Sequence, residues 1–322
     1  MADGGSQMAE AASTSAIRHP LSAISIRDDT LHRLMSQDRL DASLDIDLEP
    51  ATGIVRIIQE QDALVAGAVA AQAERIAHAI DQIAERLRHG GHLVYAGAGT
   101  SGRIAMLDAS EVPPTYGVPA ETVRVLMAGG ERAFFAAAEG AEDDEEAAVA
   151  AVNLNVTADD AIVGIAASGT TPYTVAAVRR ANMLGALTVA VTSVPNSPLA
   201  RDVDIPIVVE TGPEVIMGSS RMKSGTAQKM VLNQISTGVM IRLGRVYSNL
   251  MIDMPATNEK LRSRAIRMVE LAAGVLRPMA VQAIREADGN VKVATVIAKK
   301  KVSADEARRL LESKTLREVL QT

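Results

Sequence analysis

The chain has 322 residues, 48% apolar and 22% charged, with a net charge of −6, enough apolar material for a large buried core. Two Phe, four Tyr and no Trp argue against a base-stacking platform or an aromatic sugar-stacking groove, and the absence of cysteine removes disulfides, thiolate metal sites and thiol nucleophiles. No apolar run reaches the roughly 20 residues that span a bilayer, and MADGGSQMAEAASTS lacks the basic start and apolar centre of a secretory signal, so a cytoplasmic protein with no membrane partner is expected.

Residues 1–35 are small, polar and aperiodic and read as a disordered extension. Residues 36–90 read as an N-terminal helical segment packing on the core. Within it Val65, Val69, Ile76, Ile80, Ile83 and Leu87 recur at helical spacing, and His89-Gly90-Gly91 stops the helix that begins near Gln61. Short apolar runs then alternate with helices. HLVYAGA (His92–Ala98) predicts a first strand, with a helix near Gly102. VRVLMA (Val123–Ala128) predicts a second, with helices over Phe134–Val152. AIVGIAA (Ala161–Ala167) predicts a third, followed by a helix with Thr171 as N-cap, Pro172 at its first position and Gly185 beyond its end. Leu187–Val194 and Ile205–Val209 supply the fourth and fifth, and a long helix from about Ser220 to Leu243 stops at Gly244. Strands apolar on both faces and separated by helices predict a doubly wound α/β domain with a five-stranded parallel sheet over residues 91–260.

Residues 261–322 read as a small C-terminal domain of three helices, the second ending at Asp288-Gly289 and the third opening with the capping box Ser303-Ala304-Asp305-Glu306. From Lys260 onward 14 Lys and Arg stand against 7 Asp and Glu. A basic tail can attract nucleic acid. Solvated helical faces carry such charge more often, and no nucleic-acid partner is expected.

Ligands of an open parallel sheet bind at the carboxyl ends of its strands, near the point where strand order reverses. After the first predicted strand comes Gly97-Ala98-Gly99-Thr100-Ser101-Gly102-Arg103, after the third Ser168-Gly169-Thr170-Thr171, and after the fifth Gly218-Ser219-Ser220-Arg221-Met222-Lys223. Each offers backbone N–H groups, hydroxyls and a helix start, which together suit a phosphate. One such loop is ordinary strand–helix punctuation; three at one edge point to a phosphosugar, with Lys223 or Arg221 assisting. Gly97-x-Gly99-x-x-Gly102 matches the dinucleotide fingerprint, but the second strand runs into Ala128-Gly129-Gly130 with no acid at its end to hold a ribose. Ser220-x-x-Lys223 has no Ser-Asp-Asn or Lys-Thr-Gly companion, and no Walker pattern is present. No cofactor and no metal are expected. All five histidines lie at or before the first strand, so acid–base work falls to carboxylates. Glu111 lies in Asp108-Ala109-Ser110-Glu111 just before Pro113-Pro114, and Glu142 in the acidic run Glu139 to Glu146. Taken alone, Glu111 reads better as a solvated surface acid, and the run that holds Glu142 as the acidic start of a solvated helix.

YAGAGTSGRIAMLDASEVPPTYG (Tyr95–Gly117), EGAED (Glu139–Asp143), GIAASGTTPY (Gly164–Tyr173), GSSRMKSGTAQK (Gly218–Lys229) and ATNEKL (Ala256–Leu261) stand in an order and at spacings that resemble the N-acetylmuramic acid 6-phosphate etherases. These are sugar-isomerase (SIS) domain proteins of cell-wall amino-sugar recycling. The likeness runs from about Ser43 to the C-terminus, and the DASE-x-PPT block separates it from glucokinase-regulatory proteins and phosphosugar isomerases. It implies cleavage of a C3 lactyl ether by elimination and hydration, giving N-acetylglucosamine 6-phosphate and D-lactate, with Glu111 as proton donor and Glu142 as second catalytic carboxylate. The acid of such a pair must hold its proton at neutral pH, which calls for burial or a negative neighbour. The resemblance also implies sites near a subunit interface. A homodimer is expected as well because the Ala-rich helix and the long helix after Ser220 offer more apolar surface than one sheet needs. Where the family usually reads TE-x-x-N-P-x-S, this chain reads Ser36-Gln37-Asp38-Arg39-Leu40-Asp41-Ala42-Ser43. A non-catalytic sugar-phosphate sensor and an aldose–ketose isomerase are the alternatives.

Overall fold

The structure is a computed structural model that describes residues 38–136, 138–256 and 258–321. The extension expected over residues 1–35 lies outside the described residues.

Three helices precede the sheet: α1 (Ala51–Asp62), α2 (Val65–Ala70) and α3 (Ala73–Arg88). The single helix expected from Gln61 to Leu87 is therefore broken. At the breaks the N–H of Leu64 donates to Gln61 O and that of Gln72 to Val69 O, each a turn tightened by one residue. Such a turn barely disturbs apolar spacing, so the sequence shows no trace of it. Val65, Val69, Ile76 and Ile83 still enter one core.

The α/β unit then runs β1 (Leu93–Gly97), α4 (Gly99–Tyr116), β2 (Val123–Met127), α5 (Glu145–Asn155), β3 (Ala161–Ile165), α6 (Pro172–Met183), β4 (Leu187–Thr192), the short α7 (Pro198–Arg201), β5 (Ile205–Val208) and α8 (Lys223–Arg242). All five expected strands are present and all neighbours are parallel, in the order β2-β1-β3-β4-β5. Leu93 registers with Val123 on one side and Ala161 on the other. Alternate strand residues feed two cores. Leu93, Tyr95, Val163 and Ile165 pack with α3, α4 and α8, while Val94, Ala96 and Ile162 pack with α5 and α6. This two-sided burial explains why the strands read as continuous apolar runs.

The helices expected over Phe134–Val152 are mostly absent. Glu131–Phe134 and Ala141–Asp143 are single 3₁₀ turns, and α5 begins only at Glu145, where the Asp144 carboxylate accepts from the N–H of Ala147. Acidic side chains suit that first turn, next to unpaired backbone donors. Near the other end of the molecule, five helices replace the three expected: α9 (Glu259–Ala273), α10 (Arg277–Glu286), α11 (Val291–Lys300), α12 (Ala304–Ser313) and α13 (Leu316–Gln321). They share a separate apolar cluster that includes Ala265, Val269, Ala294, Ile297 and Val319. The unforeseen α11 is rich in β-branched residues, which have poor helix propensity; burial of Val291, Val293, Val296 and Ile297 overrides it. Of the capping box, the Ser303 half is formed, its Oγ accepting from Glu306 N–H at 3.3 Å.

Candidate active site at the carboxyl edge of the sheet

Strand order reverses between β1 and β3, so the chain leaves their carboxyl ends toward opposite faces and opens a crevice there. Two glycines of the first loop, Gly97 and Gly102, serve close packing. A Cβ on Gly102 would meet Met127 Sδ at 2.1 Å and Gly97 O at 2.9 Å, which brings the start of α4 hard against β1 and β2. In the loop after β3, Gly169 has φ +66° and a Cβ there would strike Ser197 Oγ at 2.1 Å. Only glycine fits. Beside it Ser168 Oγ accepts from the Thr170 N–H at 3.2 Å and lies 2.9 Å from Thr170 Oγ1. Thr171 stands at the N-cap of α6 without spending its hydroxyl on the helix.

The loop after β5 joins the first loop directly. A Cβ on Gly225 would lie 3.6 Å from Thr100 Cγ2 and 3.5 Å from Ile104 Cδ1, so α4 and α8 start side by side. Gly99, Thr100, Ser101, Gly102 and Arg103 thus share the sheet edge with Ser168, Gly169, Thr170 and Thr171 across the crevice, and with Ser219 and Ser220. Lys223 differs. It is only 1% exposed, and its Nζ donates to Gln61 Oε1 at 2.9 Å. Burial pulls its amine below the ordinary lysine value, opposed by the negative charges of Glu214 and Asp62. The carboxylate of Glu214, itself fully buried, accepts from the N–H groups of Lys223 and Ser224 at 3.0 and 2.9 Å and closes the first turn of α8.

Glu142 reaches the crevice through Arg103. The guanidinium donates from Nε to Phe134 O at 3.2 Å and from Nη2 to Ala136 O at 3.1 Å, drawing the segment that leads to Glu142 over the first loop. A cavity of about 250 Å³ results, lined among others by Gly99, Arg103, Met127, Glu139 and Glu142. Glu111 does not line it. It is exposed on α4, twelve residues beyond Gly99, which is about 18 Å along a helix axis.

One group close to Glu111 was not singled out from sequence. Asp108, 5% exposed, accepts from Tyr95 Oη at 2.8 Å, Asn233 Nδ2 at 2.6 Å and Ser236 Oγ at 3.0 Å. It pins α4 to both β1 and α8, three residues before Glu111. Burial, reinforced by the Asp108 charge, pushes the Tyr95 phenol well above its ordinary value. The available signal was Tyr95 itself, a hydroxyl inside an otherwise apolar strand. Among the described residues, no group of three or more His, Asp or Glu is disposed to hold a metal ion, and no helix is long and apolar enough to cross a membrane.

Residues 75–182 match the glucokinase regulatory protein N-terminal SIS domain family, and residues 137–237 match the SIS domain family. With its five parallel strands, this is a sugar-isomerase-domain fold. Over 266 residues the chain is 58% identical to an N-acetylmuramic acid 6-phosphate etherase of Symbiobacterium thermophilum, covering 83% of this chain and 89% of that one. It is 50% identical to one of Clostridium beijerinckii (86% and 92% covered) and 48% identical to one of Rubrobacter xylanophilus (91% and 98% covered). The chain belongs to the N-acetylmuramic acid 6-phosphate etherase family. Among solved structures, a phosphoheptose isomerase from Francisella tularensis aligns with a TM-score of 0.46 at 17% identity, over 60% of this chain and all of that one.

Proposed function

We propose that this protein cleaves the C3 lactyl ether of N-acetylmuramic acid 6-phosphate with water, giving N-acetylglucosamine 6-phosphate and D-lactate, as a carbon–oxygen lyase of cytoplasmic amino-sugar recycling. The observation that carries the reading is identity of 48–58% to etherases over 83–91% of the chain, and the DASE and EGAED blocks that resemble the family's motifs support it. The phosphate is held by Gly99 to Arg103, Ser168 to Thr171 and Ser219-Ser220. Opening of the sugar ring makes the C2 hydrogen acidic. Glu142 takes that proton, the C2–C3 double bond forms as the C3–O bond breaks, and Glu111 protonates the departing lactate oxygen. Water then adds at C3 while C2 is reprotonated.

The separation of Glu111 from the cavity bears on how this is assembled. A hexose spans well under the roughly 18 Å between the start of α4 and Glu111. A homodimer resolves the mismatch if Glu111 of one copy faces the crevice of the other, where burial by the partner also favours its protonated form. The chain is read as a helical segment (36–90), a SIS domain (91–260) and a basic helical domain (261–322), the last having an apolar cluster of its own to which Ile252 also contributes. Incubation with N-acetylmuramic acid 6-phosphate tests the whole reading. Lactate release is expected; a ketose product without lactate indicates an isomerase, and binding without turnover indicates a sensor.

A further inference from the structure

Ser219 and Ser220 sit in a long connection between β5 and α8 that contains no helix or strand. Two bonds from the far N-terminal part of the chain hold it, one on each side of those serines. Before them, the buried Ser43 Oγ lies 2.8 Å from Val215 O, 172 residues away, and 3.1 Å from Leu40 O. After them, Lys223 Nζ donates to Gln61 Oε1, 162 residues away. Between the two grips, Arg39, Leu40 and Leu44 line a cavity of about 150 Å³ together with Ile216 and Met217. An ammonium is removed from water only at a cost, so a Lys223 aimed at Gln61 and flanked by Glu214 is built for a structural partner, not for an incoming anion.

We propose that residues 39–62 latch the phosphate loop, and that Ser43, Gln61 and Lys223 are positioning residues for phosphosugar binding and not phosphate ligands. The role in phosphosugar binding rests on the function proposed above; the latch itself does not. A loop ordered before the ligand arrives spares the ligand that ordering entropy. Releasing one grip therefore weakens binding by about tenfold, the effect of immobilising one or two side chains. Turnover of bound substrate is unaffected, because neither Glu111 nor Glu142 lies on this loop.

Four variants test the latch: Gln61→Leu, Lys223→Met, Ser43→Ala, and Gln61→Glu, which restores an acceptor for the amine. The readouts are KM and kcat for lactate release, affinity for N-acetylglucosamine 6-phosphate, and hydrogen exchange of the amides at 216–222. Gln61→Leu and Lys223→Met should raise KM and the product Kd by a similar factor of about ten, leave kcat within twofold and speed exchange at Ser219, Ser220 and Met222. Ser43→Ala should do the same more weakly, and Gln61→Glu should behave as wild type. Loss of binding in Lys223→Met with none in Gln61→Leu would make Lys223 a direct ligand and overturn the proposal. So would a fall in kcat and thermal stability with KM and exchange unchanged. If the wild-type protein releases no lactate, the functional reading fails by itself, and faster exchange in Gln61→Leu still decides for the latch or, if absent, against it.

Discussion

Two sets of carboxylates divide the molecule. Asp108, Asp160 and Glu214 are 5%, 1% and 0% exposed, and each is engaged by two or more donors from neighbouring elements. Glu111 and Glu142 are exposed, and neither side chain has a hydrogen bond or ion pair among the described residues. A carboxylate whose oxygens are already spent cannot trade a proton without dismantling its surroundings, whereas one with open lone pairs can. Burial with saturation marks architecture here, and under the proposed function the open carboxylates are the ones that move protons.

The sharpest way to break that division is to neutralise one acid of each kind. Glu111→Gln keeps size and removes proton exchange, and a positioned acid or base contributes about 10²–10⁴-fold. Lactate release should fall by that order with substrate binding retained. C2 hydrogen–deuterium exchange in heavy water should persist in Glu111→Gln and vanish in Glu142→Gln if the roles are as proposed. Mixing the two inactive variants sharpens the test: exchange of subunits should restore part of the activity if Glu111 serves the partner's crevice. Near-normal lactate release by Glu111→Gln would remove the central residue of the mechanism.

Asp108 should behave in the opposite way. Asp108→Ala leaves the Tyr95 hydroxyl, the Asn233 amide and the Ser236 hydroxyl without their acceptor, at about 1–3 kcal/mol for each group that stays buried and unpaired. A total loss of about 3 kcal/mol in urea unfolding is expected, with the folded fraction retaining kcat within a few-fold. A fully stable Asp108→Ala protein with abolished turnover would move Asp108 into the chemistry. Smaller still is the effect of hydroxyl loss at the crevice. Ser168→Ala with Ser220→Ala should weaken phosphosugar binding by about one to two orders of magnitude, at roughly 1 kcal/mol per bond, with little change in stability. Unchanged affinity would detach these loops from the phosphate.

The sheet was legible because its signals are local. Five apolar runs between glycine-bearing loops read correctly as strands. What escaped depends on distant pairings. Nothing near Lys223 announces Gln61 as its partner. The saturation of Asp108 requires Asn233 and Ser236, about three and three and a half turns along a helix that begins more than a hundred positions later. The missed α11 fails for a related reason: its helicity comes from the apolar cluster around it and not from its own propensity. Glu111 and Glu142 are proposed as the catalytic pair only through the family motifs, since an exposed acid carries no physical mark of its own.

The last test concerns pH and is the gentlest. Asp160 stands at the entry to β3, where Oδ1 accepts from His92 N–H at 2.7 Å and lies 2.9 Å from His92 Nδ1, while Oδ2 accepts from the N–H and hydroxyl of Thr157 at 2.7 and 3.0 Å. Burial acting by itself would raise its pKa, but these bonds more than offset it and hold the carboxyl below its ordinary value. The folded protein therefore binds this proton more weakly than the unfolded chain does. Its stabilisation is complete above the ordinary carboxylate pKa of about 4 and is lost as pH falls through the lowered folded value. Asp160→Asn keeps the shape but replaces one acceptor oxygen with a donor, so it should be less stable than wild type by about 1–2 kcal/mol between pH 5 and 7. That gap should narrow steadily below pH 4, as the wild-type carboxyl takes up its proton and loses the same advantage. Paired thermal scans across this range would show it. A gap that stays constant down to pH 2.5 would mean that the charge on Asp160 contributes nothing, leaving only its shape, and the buried acids would then owe their place to packing and not to the donors that surround them.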